Sequence, residues 1–316
     1  MRQFSQIASV EFDMYIVDMH CDSLLTVDGE HGLVNPYNFS DKNPQLQFVA
    51  QFCPNGGRSP EERRKQLIKY LDVYLYEKER LNLEIVASGR DVFSVVDNGT
   101  RAVMLTLEGG GGLFADSKEL DTLRGAGLSV LGMAWDDNEL ASSAWTRDDR
   151  GLTEEGRKLL DRCGELGIVI DVSHLSDRAF YETLERSPMP VLATHSNFRD
   201  VCNSPRNLTK EMAEMIAKRG GVIGLNLYPS FLNESGEADR EDVLRHVDYA
   251  LNLFGDDHLG FGFDIDGTDG KYPLWINPNE SIHEQVIDLL LSNYSSETVE
   301  KIAGLNVIEF LKDNLV

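Results

Sequence analysis

Basic residues, clustered cysteines and long apolar runs are all scarce in this chain of 316 residues. Lys and Arg together number 30 against 53 Asp and Glu, which gives a formal net charge of −23. Nucleic-acid backbones and anionic membrane surfaces are bound through clustered Lys and Arg, so this balance argues against both. We therefore expect neither a nucleic-acid nor a membrane partner.

Further classes are excluded by the cysteines and by the apolar segments. The four cysteines include no CxxC pair, so we expect neither a disulfide scaffold nor a Cys-based zinc ribbon. We expect the cysteines to be reduced, buried thiols instead. No stretch reaches the roughly 18 apolar residues of a membrane span, and the N-terminus lacks the roughly 7–15 apolar residues of a signal peptide. We predict a cytoplasmic protein.

Short apolar runs alternate with helical patterns along the chain. The runs cover residues 15–19, 46–52, 102–108, 128–135, 168–173, 191–195, 222–227 and 259–264. Several are apolar at almost every position, which is typical of strands buried on both faces. Helical spacing covers residues 60–81, 153–166 and 208–219. Strands that alternate with helices predict parallel pairing in a βαβ architecture.

Eight such runs match the number of strands in a (β/α)8 TIM barrel. The alternative is an open doubly wound sheet, but that fold usually has a Gly-rich turn after its first strand. Here the first run continues into His20, Cys21 and Asp22 instead. Residues 82–88 are a candidate ninth, short strand. Because no internal repeat or linker divides the chain, we place residues 1–316 in one domain.

Metal-competent side chains stand at the C-terminal ends of several of the predicted strands, where a barrel collects its active site. They are His20, Asp22, Glu108, His174, His195 and Asp264. A lone histidine at a strand end is more often structural, but three at matching positions beside carboxylates favour a metal site. Imidazole and carboxylate groups are good zinc ligands, and this number of them is larger than one tetrahedral ion can bind. A bridging carboxylate would hold two ions about 3.5–4 Å apart.

Such a pair of ions predicts a hydrolase. A zinc-bound water has its pKa lowered to about 7, which yields hydroxide for attack on a carbonyl. Asp264 is the candidate that accepts the proton and delivers it to a leaving nitrogen. The glycines at 109–112 lack the Lys-Ser/Thr of a P-loop, and residues 264–270 lack the glycine and glutamate of a calcium loop. No Gly-x-Ser-x-Gly elbow is present.

Arg206 and a pair of tryptophans each keep two interpretations. Arg206 stands in a loop before a helix, where it either forms a surface ion pair or helix cap or binds a substrate carboxylate. Trp135 and Trp145 flank Asp136, Asp137 and Asn138, and they either wall a pocket or pack the rim of the barrel. The spacing does not choose between these.

The order of several short motifs resembles that of the membrane (renal-type) dipeptidases, peptidase family M19, which fold as amidohydrolase-like barrels. The motifs are VDMHCD at 17–22, EGG at 108–110, DVSH at 171–174, THS at 194–196, PRNL at 205–208 and GFDIDG at 262–267. The C-terminal segment, from SSET at 295–298 to GLNVIEF at 304–310, resembles the closing helices of that family. The resemblance spans nearly the whole chain in the same order.

This resemblance implies a metallo-dipeptidase with a binuclear zinc site and, more weakly, a homodimer. His20 and Asp22 would bind one Zn²⁺, His174 and His195 the other, and Glu108 both. Asp264 would handle the proton. Arg206 would bind the free α-carboxylate of a dipeptide, often one with a D-residue on its C-terminal side.

One departure from the family affects the choice of substrate. Trp135 stands where the family commonly has a histidine that contacts substrate, and Asp136, Asp137 or Asn138 would replace that contact in part. Two alternatives therefore stay open beside the dipeptidase. One is a metal-dependent amidohydrolase acting on another amide, such as a lactam or a modified amino acid. The other is a non-catalytic protein that keeps the site and binds peptides or metabolites.

Overall fold

The computed structural model of the chain describes residues 14–23, 39–40, 42–52 and 54–316. Within these residues no helix combines the length and the apolar character needed to cross a membrane. Three cysteines, Cys21, Cys163 and Cys202, are buried and unpaired, as expected. Cys53 lies outside the described residues.

All strand pairs of the sheet are parallel. The strands are β1 (Ile16–Asp18), β2 (Gln45–Phe52), β3 (Glu84–Ile85), β4 (Ala102–Glu108), β5 (Val130–Gly132), β6 (Val169–Asp171), β7 (Ile223–Leu225) and β8 (Leu259–Phe261). Their order is β6-β5-β4-β2-β1-β8-β7, and β3 pairs with β4 beside this path. The parallel sheet curls into a half-barrel, so the predicted parallel βαβ architecture is confirmed.

The predicted strand at 191–195 takes a reduced form. It makes two isolated parallel bridges, from Leu192 to Asp171 of β6 and from Ala193 to Ile223 of β7. The candidate ninth strand at 82–88 is present as the two residues of β3.

Helices cover the strands and connect them. They are α1 (Pro60–Arg80), α2 (Gly89–Asn98), α3 (Lys118–Gly125), α4 (Glu154–Leu166), α5 (Asp177–Arg186), α6 (Lys210–Lys218), α7 (Pro229–Leu232), α8 (Arg240–Phe254), α9 (Ile282–Leu291), α10 (Ser296–Glu300) and α11 (Asn306–Asn314). The three helices predicted from spacing correspond to α1, α4 and α6. Thr153 and Thr209 cap α4 and α6 by accepting backbone N–H groups, because a helix leaves its first N–H groups unpaired.

The C-terminal helices pack against the sheet away from the ends that carry the metal-competent residues. A π-helical turn, Lys301–Leu305, precedes α11 and contacts β1 and β8. A Cβ on Gly304 would lie 2.0 Å from the carbonyl oxygen of Tyr15, so only glycine permits this approach. Val17 and Phe48 of the strands share a buried cluster with Ile308 and Leu311 of α11. The opposite, C-terminal ends of the strands are thereby left for the site.

Candidate metal centre

Glu108 lies at the centre of the residues that the strand ends bring together. It is the last residue of β4, and its Oε1 lies 2.6 Å from Nε2 of His174 and 3.3 Å from Nε2 of His195. The Nε2 atom of His20 lies 3.7 Å from the same oxygen. One carboxylate oxygen thus faces three imidazoles that come from three different strand ends.

A second group of ligand atoms shares His20 with the first. Its Nε2 lies 3.5 Å from Oδ2 of Asp22 and 3.8 Å from Oδ1 of Asp264. The ligand atoms of His20, Asp22 and Asp264 all lie within 4.8 Å of one another, and so do those of His20, Glu108 and His195. All five of these side chains are buried. The two groups overlap at His20 and together bring five metal-competent side chains close to one another.

The donor set fits divalent cations. Nε2 of His20 and Oδ1 of Asp22 are buried and have no hydrogen-bond partner among the described residues. Leaving a buried polar group unsatisfied costs about 1–3 kcal/mol, and more for a charged group. Cations between these atoms would satisfy them, and imidazole nitrogen with carboxylate oxygen suits zinc and similar ions. A metal cofactor therefore agrees with the residues present.

The electrostatics of the cluster support the same conclusion. Burial first, and then the charge of Asp22, raise the pKa of Glu108 well above its usual range. Burial alone would lower the pKa of His20, but the carboxylates around it, that of Glu108 above all, raise this pKa to about 10. Burial and neighbouring positive charges lower the pKa of His174 and of His195. Three acids thus crowd around His20, and two imidazoles are neutral, with lone pairs that suit a metal ion.

Hydrogen bonds behind the cluster fix the orientation of His195. Its Nδ1 lies 2.8 Å from Oγ1 of Thr194, and that hydroxyl donates to Oδ2 of Asp171 over 2.6 Å. Because the hydroxyl proton is committed to Asp171, Nδ1 of His195 carries the proton that bonds to Thr194. The other nitrogen, Nε2, therefore presents its lone pair to the cluster. Such carboxylate-supported histidines are typical of metal sites.

Asp264 is held in an unusual backbone conformation. Its φ is 62°, in the left-handed region that a residue with a side chain rarely adopts. Asn226, directly after β7, donates to Oδ2 of Asp264 over 3.1 Å. Burial, followed by the charge of Asp22, raises the pKa of Asp264 above its ordinary value. Asp264 is therefore suited to hold a proton beside the metal-ligating atoms.

Arg206 lies inside the site rather than on the surface. It is 2% exposed, and its guanidinium donates to the carbonyl oxygens of Ser173 and His195. Its Nη2 lies 3.2 Å from Nε2 of His174, and the group stacks 5.4 Å from the ring centroid of Phe231. The alternative of a surface ion pair is therefore wrong, and a buried guanidinium beside the cluster suits an anionic group of a substrate.

A cavity of about 420 Å³ opens above the cluster. Its lining includes Asp22, Glu108, His174, Arg206 and Asp264, and it also includes Trp135, Trp145, Ser204, Tyr228, Ser230, Phe231, Gly267 and Asp269. Trp135 and Trp145 therefore wall a pocket, as one of the two interpretations predicted. A cavity of this size over metal-competent residues is typical of a small-molecule site.

Asn138 serves its own loop. It is buried, its amide nitrogen donates to the carbonyl of Met133, and its amide oxygen accepts from the N–H groups of Leu140 and Ala141. The side chains of Asp136 and Asp137 likewise accept hydrogen bonds within the surrounding loops. This geometry gives Asn138 a structural role, and its contact with substrate stays a prediction.

Sequence reasoning missed a buried pair that supports two of the strand ends. Oδ2 of Asp18, at the end of β1, lies 2.8 Å from Nε2 of His283 in α9, and both side chains are 0% exposed. Oδ1 of Asp18 accepts the backbone N–H groups of His20 and Phe263. One carboxylate thus supports the segments that carry His20 and Asp264. The position of Asp18 at a strand end could have marked it as a candidate, but its partner His283 lies in a helix 265 residues away along the chain.

Two solved structures resemble this fold. A metallopeptidase from Rhodobacter sphaeroides, bound to a phosphinate mimic of the dipeptide L-Ala-D-Ala, superposes with a TM-score of 0.85 at 25% identity, covering 96% of this chain and 99% of its own. An amidohydrolase from Pseudomonas aeruginosa superposes with a TM-score of 0.77 at 19% identity, covering 96% of this chain and 97% of its own. The second likeness concerns the fold alone.

Sequence comparison agrees with the structural likeness. The chain is 29% identical over 238 residues to dipeptidase tcpJ from Claviceps purpurea, an alignment that covers 73% of this chain and 55% of that one. The membrane dipeptidase family, Peptidase family M19, matches residues 4–314. The chain therefore belongs to this family and is a hydrolase of the metallo-dipeptidase class.

Proposed function

We propose that this protein is a zinc-dependent dipeptidase that holds two Zn²⁺ ions and cleaves dipeptides, including those with a D-residue on the C-terminal side. The observation that carries the proposal is the single oxygen of Glu108 facing three imidazole nitrogens at 2.6, 3.3 and 3.7 Å. The related Rhodobacter sphaeroides metallopeptidase binds a mimic of L-Ala-D-Ala, which supports both the substrate class and the D-residue.

Five residues would hold the ions. His20 and Asp22 serve one, His174 and His195 the other, and Glu108 both. When bound, the pair supplies a hydroxide at neutral pH and polarises the carbonyl of the scissile bond. The neutral state of His174 and His195, which burial favours, leaves their lone pairs available as ligands.

Two other side chains handle the substrate. Asp264, with its raised pKa and its hydrogen bond from Asn226, holds the proton that the leaving amine needs. Arg206, buried beside His174, binds the free carboxylate of the C-terminal residue. These two side chains therefore approach the C-terminal half of a dipeptide.

The same proposal includes the architecture and the setting of the protein. The bridges of residues 191–195 to β6 and β7 support a sheet closed into a (β/α)8 barrel, within one domain of residues 1–316. Buried, unpaired cysteines support a reducing, cytoplasmic location. Neither membrane nor nucleic-acid binding forms part of the proposal. The homodimer stays a prediction, which light scattering of the purified protein would check.

Metal analysis and a dipeptide panel test the proposal together. We expect two zinc ions per chain, hydrolysis of L,L and L,D dipeptides, and loss of turnover with a chelator. Asp264→Asn should lower kcat by about 10²–10⁴-fold, the usual contribution of proton transfer. Asp116→Asn, at an exposed position, is the matched control and should keep full activity. Full activity in protein stripped of metal would overturn the proposal.

Trp135 in the wall of the cavity is a reason to test other amides beside the dipeptides. Trp135 stands where the family commonly has a histidine, and a changed wall accepts changed substrates. Hydrolysis of lactams or N-modified amino acids without hydrolysis of dipeptides would select a different amidohydrolase. Dipeptide binding without any product would select a non-catalytic protein.

A further inference from the structure

The lining of the cavity combines charged and aromatic groups. Asp264 follows β8 and Trp135 follows β5, and these strands lie four positions apart along the sheet order. Arg206 is the one Lys or Arg among the described residues that line the cavity, and it stacks on Phe231. The indole of Trp135 lies beside the cluster, with its ring centroid 6.2 Å from that of His174. Trp135 and Trp145 therefore add aromatic surface to a cavity that also holds a cation and an acid.

Arg206 and Asp264 account for the C-terminal residue of a substrate. In the proposed function, Arg206 binds the carboxylate and Asp264 protonates the leaving amine, and both groups belong to the C-terminal residue. The N-terminal residue begins at the scissile carbonyl, and Trp135, whose ring centroid lies 6.2 Å from that of His174, is close enough to the cluster to meet its side chain. Trp145 lines the same cavity.

Both tryptophans leave part of their apolar surface exposed to solvent. Trp135 is 39% exposed and Trp145 is 58% exposed, although large aromatic side chains are usually well buried. Trp135 packs edge-on against Phe52, with ring centroids 4.9 Å apart, and this contact fixes the position of its indole beside the cavity. Burial of exposed apolar surface by a ligand is favourable, so this surface attracts an apolar group.

We infer that Trp135 and Trp145 form a subsite for the side chain of the N-terminal residue, so that the preferred substrates are dipeptides with an aromatic or large aliphatic residue first. The inference rests on the proposed dipeptidase function and adds its substrate class. Since even one methylene in an apolar pocket changes kcat/KM by about 10–200-fold, Phe-Ala should exceed Ala-Ala by at least tenfold.

Two series of dipeptides test the inference. In one, Ala, Leu, Phe or Trp precedes a constant alanine, and in the other the same residues follow it. We expect kcat/KM to rise with apolar size in the first series much more than in the second. Trp135→Ala and Trp145→Ala should each lower the Phe-Ala to Ala-Ala ratio at least threefold. Trp275→Ala is the matched control, because Trp275 stacks on Arg240 outside this cavity, and its ratio should be unchanged.

Several results would overturn the inference while the dipeptidase stands. They are equal cleavage of Ala-Ala and Phe-Ala, a preference found only in the second series, or a ratio that neither tryptophan variant changes. Thermal unfolding of each variant shows whether it is folded. If no dipeptide is hydrolysed, the proposed function fails separately. Binding measured by calorimetry then tests the tryptophan subsite. Phe-Ala should bind at least tenfold more tightly than Ala-Ala, and equal affinities would reject the subsite.

Discussion

At one position of the candidate metal centre, the close approach of the backbone to two carboxylates determines which residue can be present. A Cβ on Gly267 would lie 2.2 Å from Oδ2 of Asp22 and 2.2 Å from Oδ1 of Asp264. Real Cβ atoms do not come this close to other heavy atoms, so any side chain here would displace one or both acids. The loop after β8 can cover the cluster only because position 267 is a glycine.

Gly267→Ala should therefore damage the site without unfolding the protein. Displacement of catalytic groups by about 1 Å costs on the order of 10²-fold in rate, so we expect kcat/KM on dipeptides to fall at least that far. Zinc content, measured on the purified variant, should fall as well. Gly125→Ala is the control, because nothing lies within 4 Å of a Cβ there. Normal zinc and normal turnover in Gly267→Ala would show that the loop relaxes freely.

The sequence revealed the members of the cluster but not the side chains that position them. His20, Glu108 and His195 were found because each lies at the C-terminal end of a predicted strand, and parallel strands present such ends at one edge. Thr194 and Asn226 act through hydrogen bonds to residues of other strands. Those partners depend on which strands are neighbours, and local patterns of residues do not encode this.

At the scale of elements, α9 supports the site through one buried contact. His283 of α9 and Asp18 of β1 are fully buried and 2.8 Å apart. Through Asp18, this helix reaches the backbone of His20 and of Phe263, the residue before Asp264. The helix therefore contributes to the spacing between the ends of β1 and β8.

His283→Leu should be strongly destabilising, because it leaves the carboxylate of Asp18 buried without its ring partner. Breaking a buried pair costs about 3–5 kcal/mol, which urea unfolding would show as a lower midpoint. His283→Gln is the matched control, since its amide can still donate to Asp18 and should retain most of the stability. A loss below about 1 kcal/mol in His283→Leu would show that water or Gln45 replaces the ring.

Existence of the elements was easier to predict than their limits. Residues 128–135 form an apolar run, but only Val130–Gly132 is a strand, because the chain beyond it turns into the loop that Asn138 stabilises. Residues 191–195 make single bridges rather than a full ladder. Apolar periodicity reports burial, whereas strand limits depend on where the neighbouring chain offers hydrogen bonds.

At the scale of the whole molecule, the order of the strands lay beyond the sequence patterns. The separate pairing of β3 with β4, beside the main path, follows from long-range contacts. So does the burial of α11 against β1 and β2, which closes the end of the sheet opposite the site. Such contacts, together with buried polar groups far from the centre, set the global stability and its dependence on pH.

His246 of α8 is the clearest of those distant groups. Its side chain is 0% exposed, and its Nε2 lies 3.2 Å from the carbonyl oxygen of Leu232 while its Nδ1 accepts from the N–H of Phe198. Burial, only partly opposed by the Leu232 contact, lowers its pKa to about 4. An unfolded histidine has a pKa near 6.5, so between these values the unfolded chain binds more protons than the folded protein.

The contribution of His246 to the free energy of unfolding should therefore be fully present above about pH 6.5. It should be lost as the pH is lowered toward 4, and this loss should reach up to roughly 3 kcal/mol. Urea unfolding at pH 7, 6 and 5 would measure the slope, and His246→Gln should flatten it, because glutamine binds no proton in either state. Other buried histidines titrate in both proteins, so the difference between the two slopes isolates His246. Equal slopes would mean that the ring is protonated in the folded protein, with the charge compensated by Asp242 on the same helix.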